Sequence, residues 1–130
     1  MSAKDTTPYV YEFGSTKIYY IAGPMRGYPE FNFPEFNETA EFLRNQGHYV
    51  FNPAEHDVEN GFDPTGLKGT TEELRLLKFD LRAALAVDVK FICEWATHIY
   101  MLSGWSNSKG AKAERMLGLA LGLTIEGAAA

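Results

Sequence analysis

Asp88, Ser108, Gly110 and Glu114 have side-chain types and spacings that suit chemistry on a charged small molecule. Residues 71–96 contain no Gly or Pro and predict one long helix or two joined ones. Wound at about 100° per residue, they bring Leu77, Leu81, Ala84, Leu85, Phe91, Ile92 and Trp95 to one side. Asp88 falls near the middle of that apolar stripe. An ionised carboxylate facing a core is costly unless it is paired or hydrogen-bonded. Asp88 is therefore either a structural residue (bonded to buried backbone groups or set beyond a helix break) or a functional acid facing a pocket.

Residues 108–121 predict a second amphipathic helix. Ala113, Met116, Leu117, Ala120 and Leu121 form its expected buried stripe, Lys112 and Arg115 point away, and Glu114 lies at the boundary. Ser108 and Gly110 place a hydroxyl and a bare backbone at its start, where free N–H groups and the helix dipole favour an anion. From Ser108 to Glu114 the helix rises roughly 9 Å. A phosphate at the N-terminus and a sugar carbon beside Glu114 can thus belong to one bound nucleotide.

The elements that must position these residues alternate along the chain. Residues 9–13 and 17–22 read as strands joined by a turn at Gly14-Ser15-Thr16. The second, Lys-Ile-Tyr-Tyr-Ile-Ala, is apolar almost throughout, as a strand covered on both faces should be. Gly23-Pro24-Met25-Arg26-Gly27 ends it. A helix is expected from Pro34, with Phe36, Thr39, Ala40 and Leu43 on one face and Gly47 as its stop. Residues 48–51 form the next strand, 54–70 a loop, 97–102 a third strand and 123–125 the last. This alternation predicts a single α/β domain over 9–130, after a loose tail at 1–8. Its sheet should be doubly wound and Rossmann-like, four to five parallel strands flanked by helices. Ligands bind such sheets at the carboxyl ends of the strands, so the segments after Ala22, Phe51 and Leu102 should form one site.

Ile18-Tyr-Tyr-Ile-Ala-Gly-Pro-Met-Arg26-Gly27, then Asp88, then Gly104-Trp-Ser-Asn-Ser108-Lys-Gly110-Ala-Lys-Ala-Glu114 together resemble the nucleoside 2-deoxyribosyltransferase superfamily. Within it the chain is most similar to a branch of small phage and bacterial proteins, and the likeness spans residues 17–125. The resemblance implies a doubly wound parallel fold and cleavage of the bond between a base and a (deoxy)ribose. It assigns Glu114 the attack on the anomeric carbon, with a glycosyl–enzyme intermediate, and Tyr20 the orientation of that nucleophile. Similarity to the 2'-deoxynucleoside 5'-phosphate N-hydrolases would make Ser108 and Gly110 phosphate ligands, with Arg26 nearby and Gly23 and Met25 lining the substrate. Asp88 is the best candidate for the acid that protonates the leaving base. No cofactor is implied, and a homo-oligomer with a neighbouring subunit completing the pocket is.

The chain departs from the pattern in two places. Pro24 stands where the monophosphate hydrolases can have serine, and Thr97 where many relatives have aspartate. Phe31, Phe33 and Trp105 could stack on a base or pack beneath the loops. The expected activity is hydrolysis of a (deoxy)ribonucleoside 5'-monophosphate. Deoxyribosyl transfer, capture of a nucleotide or nucleotide-derived signal without turnover, and an interaction protein with a vestigial site are the alternatives.

Composition narrows the partners. A net charge of −5 with no Lys/Arg cluster argues against polymeric nucleic acid. No apolar run approaches the length of a membrane span, and no signal peptide is expected from the polar opening residues. A single cysteine, Cys93, excludes an internal disulfide, fits a reducing cytoplasm and is expected near the apolar side of its helix. His48, His56 and His98 lack metal-ligand spacing, and the Gly23/Gly27 turn lacks the rest of a dinucleotide fingerprint.

Overall fold

The structure, a computed structural model, describes residues 16–130; the strand expected at 9–13 and the tail at 1–8 lie outside them. Four parallel strands form one sheet: β1 (Ile18–Ala22), β2 (Tyr49–Phe51), β3 (His98–Met101) and β4 (Thr124–Gly127), in the order β2-β1-β3-β4. Five helices flank it: α1 (Phe33–Asn45), α2 (Pro53–Glu59), α3 (Thr71–Leu76), α4 (Leu81–Glu94) and α5 (Lys109–Ala120). The chain leaves β1 toward β2 on one side and later returns to β3 on the other. Strand order therefore reverses between β1 and β3, where a crevice opens at their carboxyl ends. This is the doubly wound Rossmann-like α/β domain that the alternation predicts.

Every residue of β1 is buried, and alternate side chains serve two cores. Tyr19 and Ile21 pack with Phe31, Phe33, Phe36, Ala40 and Leu43 from α1 and the segment before it. Tyr20 and Ala22 pack with Ile92 of α4 and Ala111 of α5. Full burial of side chains such as Ile21, Leu43 and Ile99 contributes about 1.5–3 kcal/mol each. Among the described residues, no helix is long and apolar enough to cross a membrane.

The segment 54–70 is not all loop. Asn52 caps α2 through its side-chain oxygen, which accepts from the Ala54 amide at 3.0 Å, and Pro53 takes the first helical position. Arg44 of α1 then grips Glu55 with both guanidinium nitrogens, at 2.6 and 2.8 Å, which aligns the new helix against its neighbour. Residues 71–96 form two helices. The chain turns at Lys78, whose φ of 56° is left-handed, and α4 restarts with the Asp80 side chain accepting from the Ala83 amide. α4 then runs unbroken through Asp88, so no helix break accounts for that residue.

Two stripe assignments are corrected. On α5 the buried positions are Ala111, Glu114 and Gly118, while Met116 and Leu121 are exposed and Ala113 and Ala120 face outward with them. Glu114 thus belongs to the buried face, not to its boundary. On the 71–96 segment, Leu77, Leu81 and Leu85 are 52%, 50% and 38% exposed. Cys93 is also exposed, not tucked into the apolar side.

Candidate active site

Three of the four strands, β1, β2 and β3, deliver a segment to the crevice, as the alternation predicts. Gly23–Tyr28 follows β1, Pro53 and Asp57 follow β2, and Asn107–Gly110 follows β3. With Asp88 of α4 they enclose a cavity of about 450 Å³. Tyr20, Gly23, Met25, Arg26, Asp88, Ser108, Gly110 and Glu114 all line it, so these eight reach one space.

Glu114 is 8% exposed, one of two buried polar or charged residues among those described. Its Oε2 accepts a hydrogen bond from the Tyr20 hydroxyl at 2.8 Å, joining α5 to β1. Tyr20 is itself locked in place, fully buried and stacked on Phe51 with ring centroids 5.8 Å apart. Burial pushes the Glu114 carboxyl up to about 8, with the Asp88 charge adding to the shift and the Tyr20 hydrogen bond opposing it. Burial also pushes Asp88 up to about 6, against the Tyr20 hydroxyl. The Tyr20 phenol is raised by burial first, then by the charge of Glu114 and of Asp88. Because the Asp88 charge raises the Glu114 carboxyl, the two titrate as a coupled pair.

The opposite end of α5 offers positive potential. Ser108 caps the helix, its Oγ accepting from the Ala111 amide at 3.1 Å, which leaves its hydroxyl hydrogen free to donate. The amides of Lys109 and Gly110 begin the helix and have no intrahelical acceptor. Arg26 stands exposed at the same cavity.

Gly23 permits the close meeting of β1 and β3. A Cβ there would lie 2.7 Å from the Leu102 Cβ, so no side chain fits between the strand ends. The following loop turns through Glu30, Phe31 and Asn32, all left-handed with φ of 53°, 54° and 64°. Three such residues in a row store strain that the surroundings must hold. The holding contacts are the Glu30 amide to the Leu67 carbonyl at 2.8 Å, the Asn32 side chain to the Pro24 carbonyl at 2.9 Å, and Phe31 packed edge-on against Phe62. Phe31 and Phe33 are core residues that also form cavity wall. Trp105 stands outside the cavity lining, donating its Nε1 hydrogen to the Ala128 carbonyl beneath the Arg115 guanidinium. Thr97 accepts from the Ile18 amide at 2.9 Å and so ties β3 to β1.

Gly69 pins this loop from the other side. Its carbonyl accepts from the Gly27 amide at 2.8 Å. With φ of 92°, it has no room for a Cβ, which would overlap the Tyr28 carbonyl oxygen. Gly69→Ala should therefore destabilise the protein by about 3 kcal/mol in denaturant unfolding; a loss below 1 kcal/mol would show that the loop gives way freely.

Asp57 is not among the residues that the sequence singles out. It lies on α2, lines the cavity beside Asp88, and burial, with the Asp88 charge second, pushes its carboxyl up to about 7. The signal was present: Asn52-Pro53 is a helix start, and Asp57 falls one turn beyond the carboxyl end of a strand. Among the described residues, no group of three or more His, Cys, Asp or Glu side chains is placed to hold a metal ion.

A protein-family profile described as a domain of unknown function (DUF4406) matches residues 17–126. The chain belongs to that family. The matched region holds β1, β2, β3, all of β4 but Gly127, and every cavity residue named above. No curated protein and no solved structure matches the chain.

Proposed function

We propose that this protein is an N-glycosidase of the nucleoside 2-deoxyribosyltransferase type, which hydrolyses a (deoxy)ribonucleoside 5'-monophosphate to free base and sugar phosphate. The observation that carries the reading is the buried Glu114 carboxyl, held by Tyr20 and facing a cavity that it shares with Asp88 and the α5 N-terminus. A site built only to bind an anionic nucleotide gains nothing from carboxylates beside the sugar. A site that develops an oxocarbenium-like centre does.

With Glu114 raised above Asp88, the single proton of the one-proton state rests mainly on Glu114. The reaction proceeds from the minor arrangement in which Glu114 is ionised and Asp88 protonated, where the two are nucleophile and acid. Glu114 attacks the anomeric carbon as the bond to the base nitrogen breaks, and its electron pair leaves with the base. Asp88 supplies the proton that the departing nitrogen takes up. Asp88, now ionised, accepts a proton from water as that water attacks the same carbon. The Glu114 ester bond breaks, both carboxyls return to their starting states, and the sugar leaves with net retention, as in two-carboxylate glycosidases. Ser108, the first α5 amides and Arg26 hold the 5'-phosphate and fix the sugar over Glu114.

The reading includes a homo-oligomer and a cytoplasmic setting. Leu81 and Leu85 line the cavity yet remain 50% and 38% exposed, and a second copy covering them would close its open side. The test is base release from a panel of nucleoside 5'-monophosphates and the matching nucleosides, followed by chromatography. Release from at least one monophosphate, with little from its nucleoside, is expected. A new nucleotide on adding a second free base would turn the reading to transfer, and release from no member would reject it.

A further inference from the structure

Resting on that reading of the site, we propose that Asp57 is its base-selecting residue, whose carboxyl accepts a hydrogen bond from an exocyclic amine and so favours adenine or cytosine over hypoxanthine or uracil. The phosphate end of the cavity is fixed by Ser108 and Arg26, and the reacting carbon by Glu114. The base then extends past Asp88 toward α2. That end is walled by aromatic rings: Phe62 and Phe79 meet edge to face at 5.2 Å, and Phe62 is bonded through its amide to the Asp57 carbonyl at 3.0 Å. Such walls give a flat base its stacking surface but say nothing about its identity.

Identity needs a polar group at the ring's edge, and Asp57 is the polar side chain that α2 brings to this end. Among the described residues its carboxyl makes no hydrogen bond, although it is half-buried. A half-buried carboxyl without a partner is costly to the fold and is satisfied by a ligand donor. Asp57 also borders a second recess of about 470 Å³, lined as well by His56, Asn60 and Lys78. Either protonation state keeps an oxygen that accepts from an amine. With burial holding the group near 7, the protonated form adds an O–H that meets the acceptor ring nitrogen beside that amine in adenine and cytosine. A carbonyl in the amine's place meets the ionised carboxylate with like charge.

Equilibrium binding tests this without turnover, in a Glu114→Ala background at pH 8. Calorimetry would compare cytidine with uridine 5'-monophosphate, and adenosine with inosine 5'-monophosphate, with and without Asp57→Asn. At least one amino-bearing member is expected to bind about tenfold more tightly than its oxo partner. Asp57→Asn, whose amide offers donor and acceptor alike, should bring that ratio to within about twofold. Asp57→Ala should do the same, while the affinity lost on removing the 5'-phosphate stays unchanged in both variants. A ratio that survives both substitutions, or no preference in the parent, would overturn the assignment. Binding with the expected ratio but no base release from the wild type would leave Asp57 as base reader and reject the N-glycosidase reading alone. No binding by any nucleotide would reject both.

Discussion

Glu114→Gln is expected to lose base release by at least about a thousandfold while melting at a higher temperature than the wild type at pH 9. The two effects have one cause. Glu114 is buried against Tyr20 in a cavity that it shares with Asp88, and burial raises its carboxyl to about 8. A group raised in the folded state contributes stability that is fully present below its unfolded value and is lost as pH rises through the folded one. Between about pH 4.5 and pH 8 the wild type therefore loses stability on this account, because the unfolded chain ionises freely and the folded chain does not. Glutamine stays neutral, and its side-chain oxygen still accepts from the Tyr20 hydroxyl. The gain at pH 9 is on the order of 2–4 kcal/mol and vanishes by pH 4. Thermal melts at both pH values check it, and equal shifts at both would contradict a buried, strained charge. Loss of activity with gain of stability is the mark of a residue retained for chemistry.

The second large effect is on pH. Reaction needs one proton on the Glu114–Asp88 pair, so kcat/KM should be bell-shaped, with limbs set by the pair near about 6 and about 8. Below the lower limb both carboxyls are protonated and Glu114 cannot attack. Above the upper limb neither is, and Asp88 has no proton to give. Each further pH unit outside the plateau costs about tenfold, so activity at pH 4 should lie about a hundredfold below its maximum. Asp88→Asn should abolish the bell, because the pair no longer exists. A wild-type rate that climbs steadily through pH 9 would mean that the leaving base departs without an acid.

Much of this architecture is legible in the sequence because its punctuation is chemical. Gly23-Pro24 cannot continue a strand, and the run Ile18-Tyr-Tyr-Ile-Ala has no polar face, so β1 belongs at the centre of a covered sheet. Ser108 before a Gly-Ala-rich stretch is a cap before a helix, and the structure places it as the cap of α5. What hydropathy misreads is the rotation of α5. Met116, Ala113 and Ala120 look like core, but the helix instead turns Ala111 and Gly118 to the sheet because they are small. A Cβ at Gly118 would press on the end of the Ile99 side chain, so the bare backbone there lets the helix lie close without moving it. That rotation is what carries Glu114 inward. The stripe through Leu77, Leu81 and Leu85 is real as a pattern, but Leu81 and Leu85 line the cavity while staying exposed at its rim. The direction of Asp57 is hidden for a related reason. A loop at 54–70 gives Asp57 no fixed direction, whereas α2, capped by Asn52, carries it to the cavity.

The most direct measurement is base release from nucleoside 5'-monophosphates by the wild type and by Glu114→Ala, with nucleotide-induced melting shifts recorded for both. The account predicts release by the wild type, release reduced at least about a thousandfold by the variant, and a melting shift in each, because the phosphate end of the cavity is untouched. Release at similar rates from both proteins would contradict Glu114 as the nucleophile. A melting shift with no release from either would make this a nucleotide-binding protein and not an enzyme.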